Sequence, residues 1–355
     1  MTAANFSVWF SYILDWGVVV VVAATGGVLN YIDGFHRPFS ITDTAIAYPN
    51  RPDIVSLPVL IIVALVLPAT IIALLNLLTL PVFQPASRPH RFRKTLWEIH
   101  VGWLGLCAGL AITLFVTSGL KDMVGKPRPH LLAVCQPDTS RISEFIVGGF
   151  GVSLDSEAQA LVTSGICQQS DKRRLDDGFA AFPSGHSSFS TAGMVYLSLW
   201  LCARFSLTIP YLDLSIDPLR QGSGKRQMIA SARSRQAAPP LWQFALAFAP
   251  IVAALFICSS RYADFHHAGF DIIFGAVIGS VFGWASFRFY HLPVRRGHGL
   301  LTWGPRARRH ALIRFKEEDE PAEEGRGAFD YELGSYSSGT AGRQQTSSSS
   351  HPILP

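Results

Sequence analysis

The chain has 355 residues, 49% of them hydrophobic and only 15% charged, with a formal net charge of +5. So apolar a composition excludes an ordinary soluble globule and a disordered chain. The positive excess does not indicate nucleic acid, because the basic residues fall in short segments between apolar runs, where membrane topology places them.

A helix needs about 20 apolar residues to cross a hydrocarbon layer. Six runs approach or exceed that length: residues 17–32, with an extension toward Ile13, then 54–80, 99–120, 186–207, 241–260 and 268–290. The first run follows Asp15 without a basic flank or a small-residue cleavage site, so it is expected to stay as an anchor. Pro58 and Pro68 predict kinks in the second run, which neighbouring helices must satisfy. The reading is an all-α fold, a six-span transmembrane helical bundle over residues 13–291, with segment 1–12 before it and a tail, 292–355, after it. Beyond about residue 316 the tail turns acidic and then Ser-rich, a composition that predicts disorder.

Arg88, Arg91, Arg93 and Lys94 lie between the second and third runs. Arg204, Arg220, Lys225, Arg226, Arg233 and Arg235 lie between the fourth and fifth, and Arg295, Arg296, Arg306, Arg308 and Arg309 follow the sixth. With six spans these segments share one side, and positive charge assigns that side and both termini to the cytosol. The sequon Asn5 to Ser7 then faces the cytosol and is expected to carry no N-glycan. The long loop 130–182 faces the lumen or exterior. Its stretch FIVGGFGVSL, residues 145–154, either lies over the membrane or the site, or forms a small satellite core. Cys135 and Cys167 sit in this loop, where an oxidising compartment would allow a disulfide and a reducing one would leave two thiols. Cys107, Cys202 and Cys258 read as small hydrophobes within helices.

Three polar clusters stand at ends of the apolar runs on that lumenal or external side. In KDMVGKPRP, Lys121 closes the third run, and Pro127 and Pro129 prevent a continuing helix, so the chain must turn and can bring Arg128 over the same place as Lys121. In PSGH, Pro183 and Ser184 precede the fourth run, whose first-turn amides lack intrahelical partners; Gly185 and His186 can present N–H groups and an imidazole to an anion. In SRYADFHHAGFD, Arg261 closes the fifth run and His267 opens the sixth. Asp271, four residues later, is expected on the same helical face, accepting the Nδ1 proton of His267 and leaving Nε2 to attack phosphorus. Lys121, Arg128 and Arg261 supply the positive charge that metal ions supply in other phosphoryl-transfer sites. No carboxylate cluster suited to two metals is visible, so neither metal nor cofactor is expected.

With these residues the chain resembles the type 2 phosphatidic acid phosphatase and haloperoxidase superfamily, and within it the integral-membrane lipid phosphate phosphatases. The family signature K-x6-RP, PSGH and SR-x5-H-x3-D is matched by Lys121, Arg128 and Pro129, by Pro183, Ser184, Gly185 and His186, and by Ser260, Arg261, His267 and Asp271. The resemblance covers residues 13–291 and implies a helical bundle with an extracytoplasmic site. It implies His267 as nucleophile, Asp271 as its partner and His186 as general acid, with Lys121, Arg128, Ser184, Gly185 and Arg261 as phosphate ligands. Pro127 departs from the family, which often has a small or aliphatic residue there between two basic ones, and this puts the role of Lys126 in question. Phosphatidate, lysophosphatidate and diacylglycerol pyrophosphate are the implied substrates, with the bilayer as partner. Polyisoprenyl diphosphates and sphingoid-base phosphates are the alternatives within the same chemistry; a lipid-binding scaffold or a transporter is the alternative outside it. Oligomeric state, organelle and lipid preference are not legible in the sequence.

Overall fold

The computed structural model of the protein describes residues 3–78, 88–149, 160–207 and 240–292. Most of the basic segment after Arg204, the one after the last helix, the tail and residues 150–154 lie outside the described residues.

The first helix, α1 (Ala3–Leu29), begins earlier than composition suggested, because apolar residues on both sides of Asp15 let the helix read through it. The second apolar run is α2 (Leu57–Ile61), a π-helical turn (Ile62–Val66) and α3 (Leu67–Leu78). The π turn contains Ala64, whose carbonyl the ring of Pro68 would strike in a regular helix; widening the turn removes that clash. The helix α4 (Arg88–Val124) starts eleven residues before the expected 99, taking in the basic stretch, with Pro89 tolerated in its first turn. It stops at Gly125, which has φ +56°, and a Cβ there would lie 1.8 Å from the Phe35 carbonyl oxygen. Only glycine permits that stop, which turns Lys126–Arg128 back across the end of α4.

The long loop forms a small lobe. It contains α5 (Leu131–Cys135), α6 (Ile142–Phe145), the antiparallel strands β1 (Ile146–Gly149) and β2 (Ala160–Val162), and α7 (Lys172–Gly178). Leu131, Val162, Ile166 and Phe179 form its core together with Phe39 and Ile46, which come from the linker after α1. The apolar stretch beginning at Phe145 therefore contributes to a satellite core, and a Cys135–Cys167 disulfide closes the lobe.

The last three long helices are α8 (Gly185–Arg204), α9 (Leu241–Ala263) and α10 (Gly269–Tyr290). Among the described residues, five helical segments are long and apolar enough to cross a membrane: 10–29, 57–78, 92–124, 241–263 and 269–290. The expected fourth span, α8, forms as a helix but is not among them. Its position explains its composition, since it packs against α4, α9 and α10 and is largely buried. Its polar side chains bond to those neighbours: Ser188 Oγ accepts from Thr117 Oγ1 at 2.9 Å, Tyr196 OH donates to the Gly102 carbonyl at 2.9 Å, and Ser198 Oγ donates to the Ala247 carbonyl at 2.8 Å. A helix surrounded by protein needs packing and hydrogen bonds rather than an apolar face toward lipid. By contrast, α9 and α10 turn Phe256, Ile273 and Val277 outward.

The α8–α10 contact is very close. A Cβ at Gly279 would lie 2.0 Å from the Ser188 carbonyl oxygen, and Gly275 and Gly283, one turn to either side, meet the α8 backbone in the same way. Replacing Gly279 by Leu must push these helices apart, at a cost of about 1–3 kcal/mol or more. We expect Gly279→Leu to lower the melting temperature of the detergent-solubilised protein by several degrees; an unchanged melting temperature would show that the helices do not approach this closely.

Candidate active site

Four helix ends meet around one cavity of about 1080 Å³. Lys121 comes from the end of α4, Gly185 and His186 from the start of α8, Arg261 from the end of α9 and His267 from just before α10. Arg128 reaches the same cavity from the turn after α4. Lys121 sits directly over Gly185: its Nζ lies 3.4 Å from where a Cβ of that residue would stand. Of the eight residues singled out from sequence, these six line the cavity; Ser184 and Asp271 do not.

Ser184 caps α8, its Oγ accepting from the Ser187 N–H at 3.4 Å, while its own N–H donates to the Asp271 carbonyl at 3.0 Å. With its own polar groups occupied in this way and its side chain fully buried, Ser184 shapes the helix start.

The expected Asp271–His267 hydrogen bond is replaced by another. His267 Nδ1 donates to the Ala181 carbonyl at 2.7 Å. The i,i+4 expectation fails because α10 starts at Gly269 with Ala268 as its N-cap, so His267 precedes the helix and does not share a helical face with Asp271. Asp271 instead accepts from the Ala268 N–H at 3.1 Å and from Lys126 Nζ at 2.7 Å. Lys126 thus has a definite partner despite Pro127. The carbonyl of Ala181 is held in place because its own N–H donates to the Lys126 carbonyl at 3.0 Å, and the Arg128 N–H donates to the Gly178 carbonyl at 2.8 Å. His186 is fixed likewise, with Nε2 donating to the Val55 carbonyl at 3.0 Å. A carbonyl only accepts, so His267 keeps a lone pair on Nε2 and neutral His186 keeps one on Nδ1.

The site is richer in carboxylates than the sequence suggested. Arg128 Nη2 donates to Asp177 at 2.5 Å, and Arg261 Nη1 donates to Asp53 at 2.9 Å and contacts Asp264 at 3.0 Å. Asp53, Asp264 and His266 bring ligand-type atoms within 4.8 Å of one another, but the Arg261 guanidinium already contacts both carboxylates, so the positive charge between them is an arginine. His266 bonds Asp264 through Nδ1 and approaches Asp53 through Nε2 at 3.2 Å. Both arginines nevertheless retain a buried Nε with no hydrogen-bond partner among the described residues. Buried donors without acceptors are costly and rare, and the two arginines that carry them line one cavity with a lysine and the start of α8, a cation set suited to the oxygens of a phosphate.

Sequence reasoning missed Asp53, Val55, Asp177, Ala181 and Asp264. Val55 and Ala181 act through carbonyls, for which side-chain identity carries no signal. Asp53 lies 208 positions from Arg261 in an ordinary polar linker.

Electrostatics follow from this enclosure. Burial, reinforced by Arg128, Lys121 and Arg261, holds the His267 pKa well below its usual range, so the imidazole is a free base at neutral pH. Burial alone would raise the Asp177 carboxyl, but Arg128, Lys121 and the nearby histidines together pull it below the usual value. Burial also lowers His130, and His291 falls to about 4. A histidine kept neutral in the folded state binds its proton more readily unfolded. Its stabilising effect is complete above the unfolded value of about 6.5 and is lost as pH falls toward the lower folded pKa. Stability of the wild type is therefore expected to fall between about pH 6.5 and 5, and His267→Asn should flatten that decline. An equal slope in the two proteins, from unfolding midpoints measured across that range, would contradict a neutral buried His267.

The profile of the PAP2 superfamily matches residues 102–295. Among curated proteins, diacylglycerol pyrophosphate phosphatase 1 of Saccharomyces cerevisiae is 27% identical over 265 residues, 74% of this chain and 74% of that one. Probable lipid phosphate phosphatase 4 of Arabidopsis thaliana is 25% identical over 283 residues, 79% of this chain and 72% of that one. Phospholipid phosphatase 1 of Rattus norvegicus is 25% identical over 269 residues, 74% and 79% of the two chains. No solved structure matches the chain.

Proposed function

The chain belongs to the PAP2 superfamily, and on that premise we propose that it is a membrane lipid phosphate phosphatase acting through a phosphohistidine. Its relatives are named for diacylglycerol pyrophosphate, lipid phosphates and phospholipids, and phosphatidate, lysophosphatidate and diacylglycerol pyrophosphate are the substrates we assign to it. The observation that carries the reading is the convergence of His267, His186, Lys121 and two arginines with unpartnered buried Nε donors on one cavity.

In the first step His267 Nε2 attacks phosphorus, the ester P–O bond breaks, and the leaving alkoxide takes a proton from Nδ1 of protonated His186, whose Nε2–H stays on the Val55 carbonyl. In the second step His186 Nδ1 accepts a proton from water, the hydroxyl oxygen bonds to phosphorus, and the P–N bond to His267 breaks, returning the free imidazole and phosphate. Lys121, Arg128, Arg261 and the first amides of α8 balance charge on the non-bridging oxygens in both steps. The Ala181 carbonyl orients His267, the part sequence reasoning gave to Asp271; Asp271 holds the start of α10 and Lys126. No step in this scheme calls for a metal.

The cavity is far larger than a phosphate, and its wall includes Leu57, Leu60 and Ile61 from α2 and Leu114 from α4. Such a wall suits acyl chains that remain in the bilayer while the headgroup reaches the helix ends. We further assign α8 as a sixth span, shielded by its neighbours, with both termini in the cytosol and the site on the lumenal or external face. The disulfide in the lobe supports that side, since such bonds persist in oxidising compartments, and Arg88–Lys94 lie at the opposite end of α4 from Lys121.

Purified protein in mixed micelles should release phosphate from phosphatidate in excess chelator. His267→Ala should reduce that release at least about a thousandfold, whereas His266→Ala retains substantial activity. Loss of wild-type release in chelator would overturn the metal-free scheme. Failure on phosphatidate together with turnover of an isoprenyl diphosphate or a sphingoid phosphate would reassign the substrate.

A further inference from the structure

Asp53 lies outside the stretch matched by the family profile and belongs to the linker between α1 and α2. Its Oδ1 accepts from Arg261 Nη1 at 2.9 Å and lies 3.2 Å from His266 Nε2. The Arg261 side chain is only 2% exposed, whereas that of Asp53 is 40% exposed, so an accessible linker residue holds one of the most enclosed cations in the molecule. Two residues on, the Val55 carbonyl takes the Nε2 proton of His186. The linker is itself anchored there: the Val55 side chain packs with Leu60, Ala64 and Ile257, and Ile257 stands one turn before Arg261 on α9.

We infer that Asp53 is a positioning residue of the phosphate site, which holds the Arg261 guanidinium at the cavity wall in the orientation that serves the bound phosphate. Asp264 contacts Nη1 from within the same chain turn, at i+3 from Arg261, and Asp53 contacts that nitrogen from a different part of the fold. Two carboxylates on one nitrogen fix the rotation of the planar fork in a way that one cannot, and they leave Nε out of the pairing. The linker thus acts on both steps of the reaction, orienting Arg261 through Asp53 and setting the tautomer of His186 through Val55. A half-exposed carboxylate that only competed with phosphate for the arginine would have the opposite effect on binding.

The inference rests on the phosphatase reading for the identity of the anion, and the test keeps the two apart. For wild type, Asp53→Ala, Asp53→Asn and Asp53→Glu, kcat and KM on phosphatidate are measured together with the protection that inorganic phosphate gives against thermal unfolding. Asp53→Ala should lower kcat/KM on the order of a hundredfold, as expected when a reacting assembly is misplaced, and should raise the phosphate concentration needed for half-maximal protection. Asp53→Glu should recover part of both. In an Arg261→Lys background, removing Asp53 should cost little more, because its effect passes through the arginine. Wild-type kinetics and protection in Asp53→Ala, tighter phosphate binding in Asp53→Asn, or fully additive losses with Arg261→Lys would each overturn the inference. If Asp53→Ala does not fold, Asp53→Asn gives both readouts. Protection by phosphate needs no turnover, so a wild type that hydrolyses no lipid phosphate would sink the phosphatase reading and still leave the role of Asp53 measurable.

Discussion

The site depends on the near contact of α8 and α10 backbones. Glycines on α10 let the helices approach until the Ser184 N–H reaches the Asp271 carbonyl at 3.0 Å, which sets the two helix starts side by side. His186 stands just inside the start of α8 and His267 just before the start of α10. A wider separation would pull apart the two imidazoles to which we assign the chemistry and would remove the hydrogen bond between the two helix starts. The small-residue row on α10 and the serine-rich sequence of α8 are therefore parts of one arrangement: one permits close approach and the other satisfies the polar groups enclosed by it.

Three cations and two imidazoles in an enclosed space would repel one another without compensation. The protein meets this with carboxylates drawn from separate segments: Asp177 from the lobe, Asp53 from the first linker and Asp264 from the turn after α9. Each arginine is paired through an Nη atom while its Nε has no partner among the described residues. On the proposed reading the geometry is prepared for an anion before one arrives, as fixed dipoles and charges lower a barrier without reorganising. The histidines are held by main-chain carbonyls, so their tautomers follow from backbone geometry and do not require a dedicated acid beside each ring.

Much of this was legible in the sequence because the relevant groups lie at helix ends that hydropathy alone can locate. Lys121, Gly185, His186, Arg261 and His267 each sit within a few residues of an apolar boundary, and a shared side for those boundaries brings them together. The Asp271 contact was misread because one residue decides whether His267 lies in the helix, and helix starts are set by capping bonds such as that from Ala268 N–H to Asp271. The apolar content of α8 understates its central place, since hydropathy reports a lipid-facing surface and this helix has little of one. Asp53 and Asp177 were invisible for another reason: they act across long sequence separations from segments with no pattern of their own.

The central claim is that a covalent bond forms between phosphorus and Nε2 of His267. It is tested most directly by mixing the enzyme with phosphatidate labelled in its phosphate, quenching in alkali within the first turnover and mapping the labelled peptide. The account predicts label that survives alkali, is released by mild acid and resides on His267. Label on another residue, or turnover with no covalent label at any quench time, would contradict it.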